Sequence, residues 1–472
     1  MIAGRDFRAG AITACADSGV DASTDAGYSA GTRDRAIPAP GTGFATGGGA
    51  DVPPGGRRGF GASGRARPDA DGLCRGYGNS KGIDTAVWRL RGSPLVDATA
   101  PGPLTGRTVA VKDLYAVAGF AVGAGIPAYA ADQRPATKHA HAVARLLASG
   151  TRITGIAHTD EFAYSLTGSN GRYGMPVNPA APESVPGGST SGPAVAVARG
   201  EVDIGLGTDT AGSIRVPAAY QGLWGIRTTH GRICTSGLLP LAQSFDTVGW
   251  VTADGEMLAA VADCLLGTDT ATSKGFVVDH ELCGYADPGI AAAVRSMAGR
   301  FGAEPVHLRL RDEWIAAFRV VQAYEAWANH GQWITGHPGA LEPDIAQRFA
   351  FAATVTAEQA AAARAELASA AVRIRAVLGD RVLVVPAAAT PPPPRTAGPG
   401  IRESTRARTV RLTCLASIAG LPAVTLPLER DEGGPSGVCL VGAPGTDRSL
   451  IRLAVSNAAV PAEGLPHSED PV

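Results

Sequence analysis

Residues 187–217 read GGSTSGPAVAVARGEVDIGLGTDTAGSIRVP, two glycine-rich turns that each carry serine, joined by a short apolar segment. Upstream, Lys112 ends the apolar run of TVAVKD. A serine hydroxyl becomes a good nucleophile only when a neighbouring base takes its proton. A desolvated lysine can be that base, because burial lets it lose its own proton near neutral pH. The two turns and Lys112 together indicate a serine hydrolase that uses lysine instead of histidine.

Lysine is rare in this chain, which sharpens the assignment of the base. Lysine and arginine together number 42, but only four of them are lysines, at positions 81, 112, 138 and 274. Arginine cannot act as a base, because its guanidinium does not deprotonate in proteins. A base at position 112 therefore has to be lysine.

The second glycine turn has the chemistry of an oxyanion site. Its small residues let the backbone approach a carbonyl group, and successive N–H groups in a turn form a nest for an anion. Ser213 in this turn is the candidate nucleophile, and Ser189 in the first turn can relay a proton from Ser213 to Lys112. The candidate oxyanion donors are the backbone N–H groups of Thr210, Ala211 and Gly212.

Charge and composition exclude several classes of function. A formal net charge of −1 gives no excess of positive charge with which to bind nucleic acid or an anionic membrane. No apolar stretch approaches the roughly 18 residues of a membrane span, and no secretory signal is visible, so we expect a cytoplasmic protein. The 7 cysteines are scattered singly, which argues against a metal site or a disulfide framework.

A dinucleotide loop is the main rival interpretation of the glycines. Gly205 and Gly207 follow a predicted strand, but the third glycine of G-x-G-x-x-G would fall at Thr210. The first turn also lacks the lysine of a phosphate-binding G-K-[ST] loop. We therefore predict no organic cofactor and no metal.

The first part of the chain differs in composition from the rest. Residues 1–80 contain only nine Leu, Ile, Val or Phe and are rich in Gly, Pro, Ser and Arg, so they cannot bury enough apolar surface to offset chain entropy. We predict that residues 1–82 are a disordered low-complexity segment and that residues 83–472 form one domain.

Strand and helix patterns alternate from Arg89 onward. Strands are predicted at 108–111, 152–157, 202–206, 382–385, 424–428 and 438–441, and helices at 141–148, 193–199 and 408–419. Long helical patterns fill 312–378 apart from a break at 331–343. Because strands come from both ends of this region, we predict a single large α/β domain with a central twisted mixed β-sheet covered by helices.

These segments resemble the amidase signature family. Its pattern runs roughly N-P, then G-G-S-S-x-G-S-A, then G-T-D-T-G-G-S-I-R-x-P-A; here the parts read NP at 178–179, GGSTSGPA at 187–194 and GTDTAGSIRVPA at 207–218. The resemblance covers about residues 83–460. In the family a Ser-cisSer-Lys triad carries the reaction, and the spacing of 24 between its serines is that of Ser189 and Ser213, which selects Ser189 over Ser191.

The resemblance implies hydrolysis of an amide through an acyl-enzyme, with a cis peptide between Gly188 and Ser189. It also implies that Asp209 and Arg215 hold the second turn in shape and do not react. Ala211 stands where the family pattern has glycine, a change that costs about 1–2 kcal/mol only if that residue is left-handed.

The resemblance also bears on the substrate. The stretches 173–198 and 244–250 look most like plant indole-3-acetamide hydrolases and their bacterial relatives. Four aromatic residues in a helical segment could line an aryl or indolyl pocket, although packing between helices is the simpler interpretation of each. They are Trp314, Tyr324, Trp327 and Trp333.

Two alternatives stay open. An allophanate- or biuret-type hydrolase is favoured by Ala211, because the resemblance implies that allophanate hydrolases share this alanine. A non-catalytic binding module would not need the lysine and both serines. The expected partner is a small amide, with no nucleic acid and no membrane, and the chain is a candidate for a homodimer.

Asp160 and Glu161 are predicted to be charges on a helix surface.

Overall fold

A computed structural model describes residues 83–428 and 434–458. Within them, eleven strands form one mixed sheet. The strands are β1 (Trp88–Val96), β2 (Thr108–Lys112), β3 (Arg152–Ala157), β4 (Ile204–Asp209), β5 (Trp224–Arg227), β6 (Thr247–Thr252), β7 (Phe276–Val278), β8 (Glu304–Pro305), β9 (Val382–Pro386), β10 (Ala423–Pro427) and β11 (Gly437–Val441).

Helices cover this sheet. They are α1 (Pro127–Asp132), α2 (His141–Ala148), α3 (Ser191–Ala198), α4 (Arg215–Gln221), α5 (Gly255–Leu265), α6 (His280–Cys283), α7 (Pro288–Arg300), α8 (Asp312–Gly336), α9 (Pro343–Ala352), α10 (Ala357–Leu378), α11 (Pro399–Ala419) and α12 (Asp447–Ala458). No helix among the described residues is long and apolar enough to cross a membrane.

The strand order is β1-β3-β2-β4-β6-β5-β10-β11-β9-β7-β8. The strand β2 runs parallel to β3 and β4, whereas β4 pairs with β6 in antiparallel fashion. The central strands β4, β6, β9 and β11 are buried along their whole length, as strands covered on both faces must be. The prediction of a single α/β domain with a mixed sheet is therefore confirmed.

Local sequence explains several element boundaries. The side chain of Asp254 accepts a hydrogen bond from the Met257 amide and caps α5, and Thr356 with Gln359 forms a capping box at α10. Gly420, at φ 64°, ends α11 in the left-handed conformation that favours glycine.

All six predicted strands are present, with ends shifted by at most a few residues. The predicted helix 408–419 is the last part of α11, which begins at Pro399, and the break after α8 is shorter than predicted because that helix continues to Gly336. The prediction for residues 1–82 concerns residues outside the described ranges.

Candidate active site

The candidate site lies where two parallel strands end. Lys112 is the last residue of β2, and the second glycine turn follows β4 directly. The two strands pair in parallel, with Val111 opposite Leu206. Because the carboxyl ends of parallel strands meet at one edge of a sheet, the lysine and the turn are brought together there.

Three of the predicted residues form a continuous chain of hydrogen bonds. Lys112 Nζ lies 2.9 Å from Ser189 Oγ, and Ser189 Oγ lies 3.0 Å from Ser213 Oγ. Lys112 and Ser189 are fully buried, and Ser213 is 3% exposed. The arrangement can pass a proton from one end to the other without the help of bulk water.

Two threonines complete the surroundings of the lysine. Lys112 Nζ donates to Thr208 Oγ1 at 2.8 Å and to Thr190 Oγ1 at 3.1 Å. Burial lowers the pKa of Lys112 to about 7, and the carboxylates of Asp160, Asp209 and Asp246 oppose this shift. A large part of the lysine is therefore neutral near pH 7.

The first glycine turn presents Ser189 through an unusual backbone. The Gly188–Ser189 peptide is cis. The Gly188 amide donates to the Leu166 carbonyl at 2.9 Å, and Thr159 Oγ1 donates to the Ser189 carbonyl at 2.8 Å. The turn then enters α3, whose residues from Ser191 to Val197 are all buried.

Asp209 organises the second turn. Its Oδ1 accepts from the Gly212 amide at 3.0 Å and its Oδ2 from the Ile214 amide at 3.1 Å. Arg215 makes a bidentate ion pair with the same carboxylate, through Nη2 at 2.8 Å and Nε at 3.0 Å. Burial alone would raise the pKa of Asp209, but Arg215 and Arg227 hold it well below its usual range. Asp209 and Arg215 thus touch each other and the loop.

The backbone N–H groups that we predict as oxyanion donors are not equivalent in the structure. The N–H of Gly212 is already bonded to Asp209, which fixes the turn and leaves that group unavailable for a substrate oxygen. In the part of the chain that the structure describes, the amides of Thr210, Ala211 and Ser213 donate to no protein acceptor. These three N–H groups are the ones the structure leaves for an anion.

The exchange of glycine for Ala211 puts no strain on the turn. Ala211 is not among the described residues with positive φ, whereas Gly212 has φ of 127°. The position that requires glycine therefore retains it. Thr413 of α11 lies over this turn, and its Oγ1 donates to the Ala211 carbonyl at 2.6 Å.

The prediction for Asp160 and Glu161 is wrong, because both are 1% exposed. They lie at a short 3₁₀ turn after β3 and not on a helix surface. Asp160 Oδ2 accepts from the Gly168 amide at 3.0 Å, and Glu161 Oε2 accepts from the Glu342 amide at 2.8 Å. Burial raises the pKa of Asp160 to about 6.

The four aromatic residues of the predicted pocket make packing contacts. Trp314 is 2% exposed in the core, and Tyr324 lies under the guanidinium of Arg364. Trp333 makes edge contacts with Tyr129 and Phe162 and donates from Nε1 to Asp132. Trp327 packs against the main body of hydrophobic side chains.

Sequence reasoning missed several polar residues of the site. Arg227 donates to the Asp209 carbonyl at 2.6 Å, and Asp246 accepts from Thr210 Oγ1 at 2.6 Å. A charged residue at the end of the buried strand WGIR could have pointed to Arg227, because arginine is seldom buried without a partner. Thr208 could have been found from its place on β4, beside the strand that carries Lys112.

Known proteins resemble this chain in sequence and in fold. The sequence profile of the Amidase family matches residues 90–283. Amidase 1 of Arabidopsis thaliana is 34% identical over 407 residues, which are 78% of this chain and 96% of that protein. The 2-amino-5-chloromuconic acid deaminase of Comamonas testosteroni is 32% identical over 388 residues, 77% of this chain and 83% of that protein.

A solved structure agrees with these relatives. It belongs to a vestigial protein complex described as revealing the origins of an s-triazine catabolic enzyme, and it matches with a TM-score of 0.70 at 29% identity, covering 76% of this chain and 86% of its own. Sequence and fold therefore agree along most of the described chain. The chain belongs to the amidase signature family of hydrolases that act on amides.

Proposed function

We propose that this enzyme hydrolyses a small amide through an acyl-enzyme on Ser213, with Ser189 as proton relay and Lys112 as base. The observation that carries the proposal is the buried chain of hydrogen bonds from Lys112 Nζ through Ser189 Oγ to Ser213 Oγ, at 2.9 and 3.0 Å. An activated serine needs a base within hydrogen-bond reach, and a relay of two short steps meets that need.

The surroundings of the lysine suit a neutral amine. Neutral lysine has two N–H donors and one lone pair. The donors can serve Thr190 and Thr208, which leaves the lone pair for the proton of Ser189. The Ser189 oxygen is then free to accept the proton of Ser213.

In acylation, Ser213 Oγ bonds to the amide carbon while its proton moves to Ser189 and the proton of Ser189 moves to Lys112. The amides of Thr210, Ala211 and Ser213 donate hydrogen bonds to the negatively charged substrate oxygen, and the bonds of Asp209 to the Gly212 and Ile214 amides hold their turn in shape. The relayed proton returns to the nitrogen as the C–N bond breaks, so ammonia or an amine leaves. Water then attacks the acyl carbon and gives a proton to Lys112 through Ser189. That proton returns to Ser213 Oγ as the ester C–O bond breaks, and the carboxylic acid leaves.

The chemical identity of the acyl group is the more specific part of the proposal. The aryl or indolyl preference drawn from the resemblance has no support from the four aromatic residues, since Trp314 is buried in the core and the other three are half-buried and pack against protein side chains. The alternative of an allophanate- or biuret-type hydrolase is still supported by Ala211. Both concern the substrate and leave the roles of the two serines and Lys112 unchanged.

Ammonia release from a panel of primary amides tests the proposal. The panel contains indole-3-acetamide, benzamide, acetamide, allophanate and biuret, each assayed with the wild-type protein and with Ser213→Ala. We expect turnover of at least one amide by the wild type and none by the variant. A folded Ser213→Ala protein that retains wild-type turnover contradicts the proposal, and a protein without any amide turnover favours a non-catalytic binding module.

A further inference from the structure

A cavity of about 1000 Å³ lies beside α8, α9 and the start of α11. Its lining includes four arginines and two acidic residues. The arginines are Arg319, Arg348, Arg402 and Arg406, and the acids are Asp344 and Glu403. We call this space the arginine cavity. Its charged side chains carry a positive excess, in a protein whose formal net charge is −1.

One carboxylate is shared loosely among three of these arginines. Glu403 lies 3.3 Å from Arg406, 3.5 Å from Arg348 and 3.5 Å from Arg319. Charge-assisted N–H···O bonds are usually about 2.7–2.9 Å long. The Glu403 side chain is also 48% exposed, so it does not neutralise the group as a tight buried partner would.

Arg406 is a largely enclosed member of the group, and one of its three guanidinium nitrogens has no partner in the described part of the chain. Its side chain is 13% exposed, and within the described residues neither its Nε nor the Nε of Arg402 has a hydrogen-bond partner. Burial lowers the pKa of Arg406 to about 10, and the neighbouring Arg348 acts in the same direction. Guanidinium groups that are buried without full partners are costly, and an anion would satisfy them.

A smaller pocket connects the lining of the arginine cavity to residues that hydrogen-bond to the two serine turns. A smaller pocket shares Thr167, Arg402 and Arg406 with it and is also lined by Leu166 and Val216. The Leu166 carbonyl accepts the Gly188 amide of the first turn at 2.9 Å. The Val216 amide donates to the Gly212 carbonyl of the second turn at 2.8 Å. Two residues of the smaller pocket therefore each hydrogen-bond to a glycine of one turn.

Helix α11 links the same two places. It carries Arg406 at the cavity and, seven residues later, Thr413 against the carbonyl of Ala211. Seven residues of α-helix span roughly 10 Å. The helix backbone therefore separates the position of Arg406 from that of Thr413 by a distance of this order.

We propose that the arginine cavity binds the carboxylate of an acidic amide, a small molecule with a carboxylate at one end and the scissile amide at the other. Arg406 and Arg402 are the principal contacts, because their Nε groups are the buried donors without partners. This inference rests on the proposed hydrolysis at Ser213, and it names the substrate class of that site.

Matched pairs of amides test the proposal. Succinamate is compared with 4-methylpentanamide, and glutaramate with 5-methylhexanamide, in which an isopropyl group of similar shape replaces the carboxylate. We expect the acidic member of at least one pair to have a kcat/KM about tenfold higher or more, mainly through KM, because a paired charge strengthens binding. A neutral member that equals or exceeds its acidic partner in both pairs overturns the proposal.

Variants assign the effect to the cavity. In Arg406→Met, and separately in Arg402→Met, the acidic-to-neutral ratio of kcat/KM should fall at least several-fold. The matched control is Arg373→Met, which removes an exposed arginine from α10 and should keep the wild-type ratio. Thermal melting shows whether each variant is folded. If both cavity variants fold and keep the wild-type ratio, the cavity does not bind the carboxylate.

A binding measurement separates this inference from the proposed function. Calorimetric titration of succinamate and glutaramate into Ser213→Ala needs no turnover, and binding should weaken about tenfold or more when Arg406→Met is added. If no amide is hydrolysed but this binding pattern holds, the proposed function fails and the carboxylate site stands. If amides are hydrolysed without any carboxylate preference and no such binding is measured, the function stands and the carboxylate site fails.

Discussion

The pH dependence of acylation follows from the state of Lys112. Only the neutral amine can take the proton relayed from Ser213, and burial places the pKa of this lysine at about 7. With that value, about one tenth of the lysine is neutral at pH 6 and about nine tenths at pH 8. We therefore expect kcat/KM to rise about tenfold between these pH values, because the base is lost as the pH falls through the pKa.

Removing one neighbouring charge should shift the pH range over which kcat/KM rises, which we call the basic limb of the pH profile. Among the carboxylates that oppose the shift, Asp160 has the largest effect on the pKa of Lys112. The Asp160→Asn variant lacks that charge, so the lysine should lose its proton more readily and the limb should move to lower pH. The control is Asp97→Asn, since the side chain of Asp97 is 73% exposed and forms an ion pair with Arg152 at 3.5 Å.

The assay is ammonia release at low substrate concentration from pH 5 to 9, at constant ionic strength and with melting curves for each variant. A wild-type kcat/KM that is flat over this range refutes the reasoning. So does a folded Asp160→Asn variant whose limb stays in place or moves to higher pH.

Three further predictions concern the site. Lys112→Ala should lower kcat by about 10³-fold or more because it removes the base. Ser189→Ala should lose less activity, because a water molecule can replace its hydroxyl in the relay. Equal losses of ammonia release in the two variants would argue against a relay. Asp209→Ala should lower the free energy of unfolding by about 3–5 kcal/mol, because it leaves buried arginines unpaired; urea denaturation with a loss under about 1 kcal/mol would contradict this. Gly212→Ala should reduce kcat strongly at φ 127°, and wild-type kcat in that variant would show that the turn tolerates a side chain.

The sequence predicted what depends on local pattern. Continuous apolar runs such as VLVV at 382–385 marked buried strands, and the two serine turns could be recognised because their chemistry is written in consecutive residues. The contact of Lys112 with Ser189 was also expected, since the resemblance and the spacing of the serines pointed to it.

Contacts between distant segments could not be predicted in this way. Thr208 reaches Lys112 only because β4 pairs with β2 in one particular register. Asp160 and Glu161 look like surface charges until the amides of Gly168 and Glu342 are placed beside them. The arginine cavity joins the consecutive helices α8 and α9 with the start of α11, which follows only after α10 and β9, and no periodic pattern reports such a grouping.

The central claim is that Ser213 is the nucleophile and depends on Lys112. A fluorophosphonate probe, which reacts with activated serines, tests it through intact mass followed by peptide mapping. The account predicts one adduct per chain, located on Ser213, and a labelling rate at neutral pH that falls strongly in Lys112→Met. An adduct on another residue of the wild-type protein, or equally fast labelling of Ser213 in folded Lys112→Met, would contradict it.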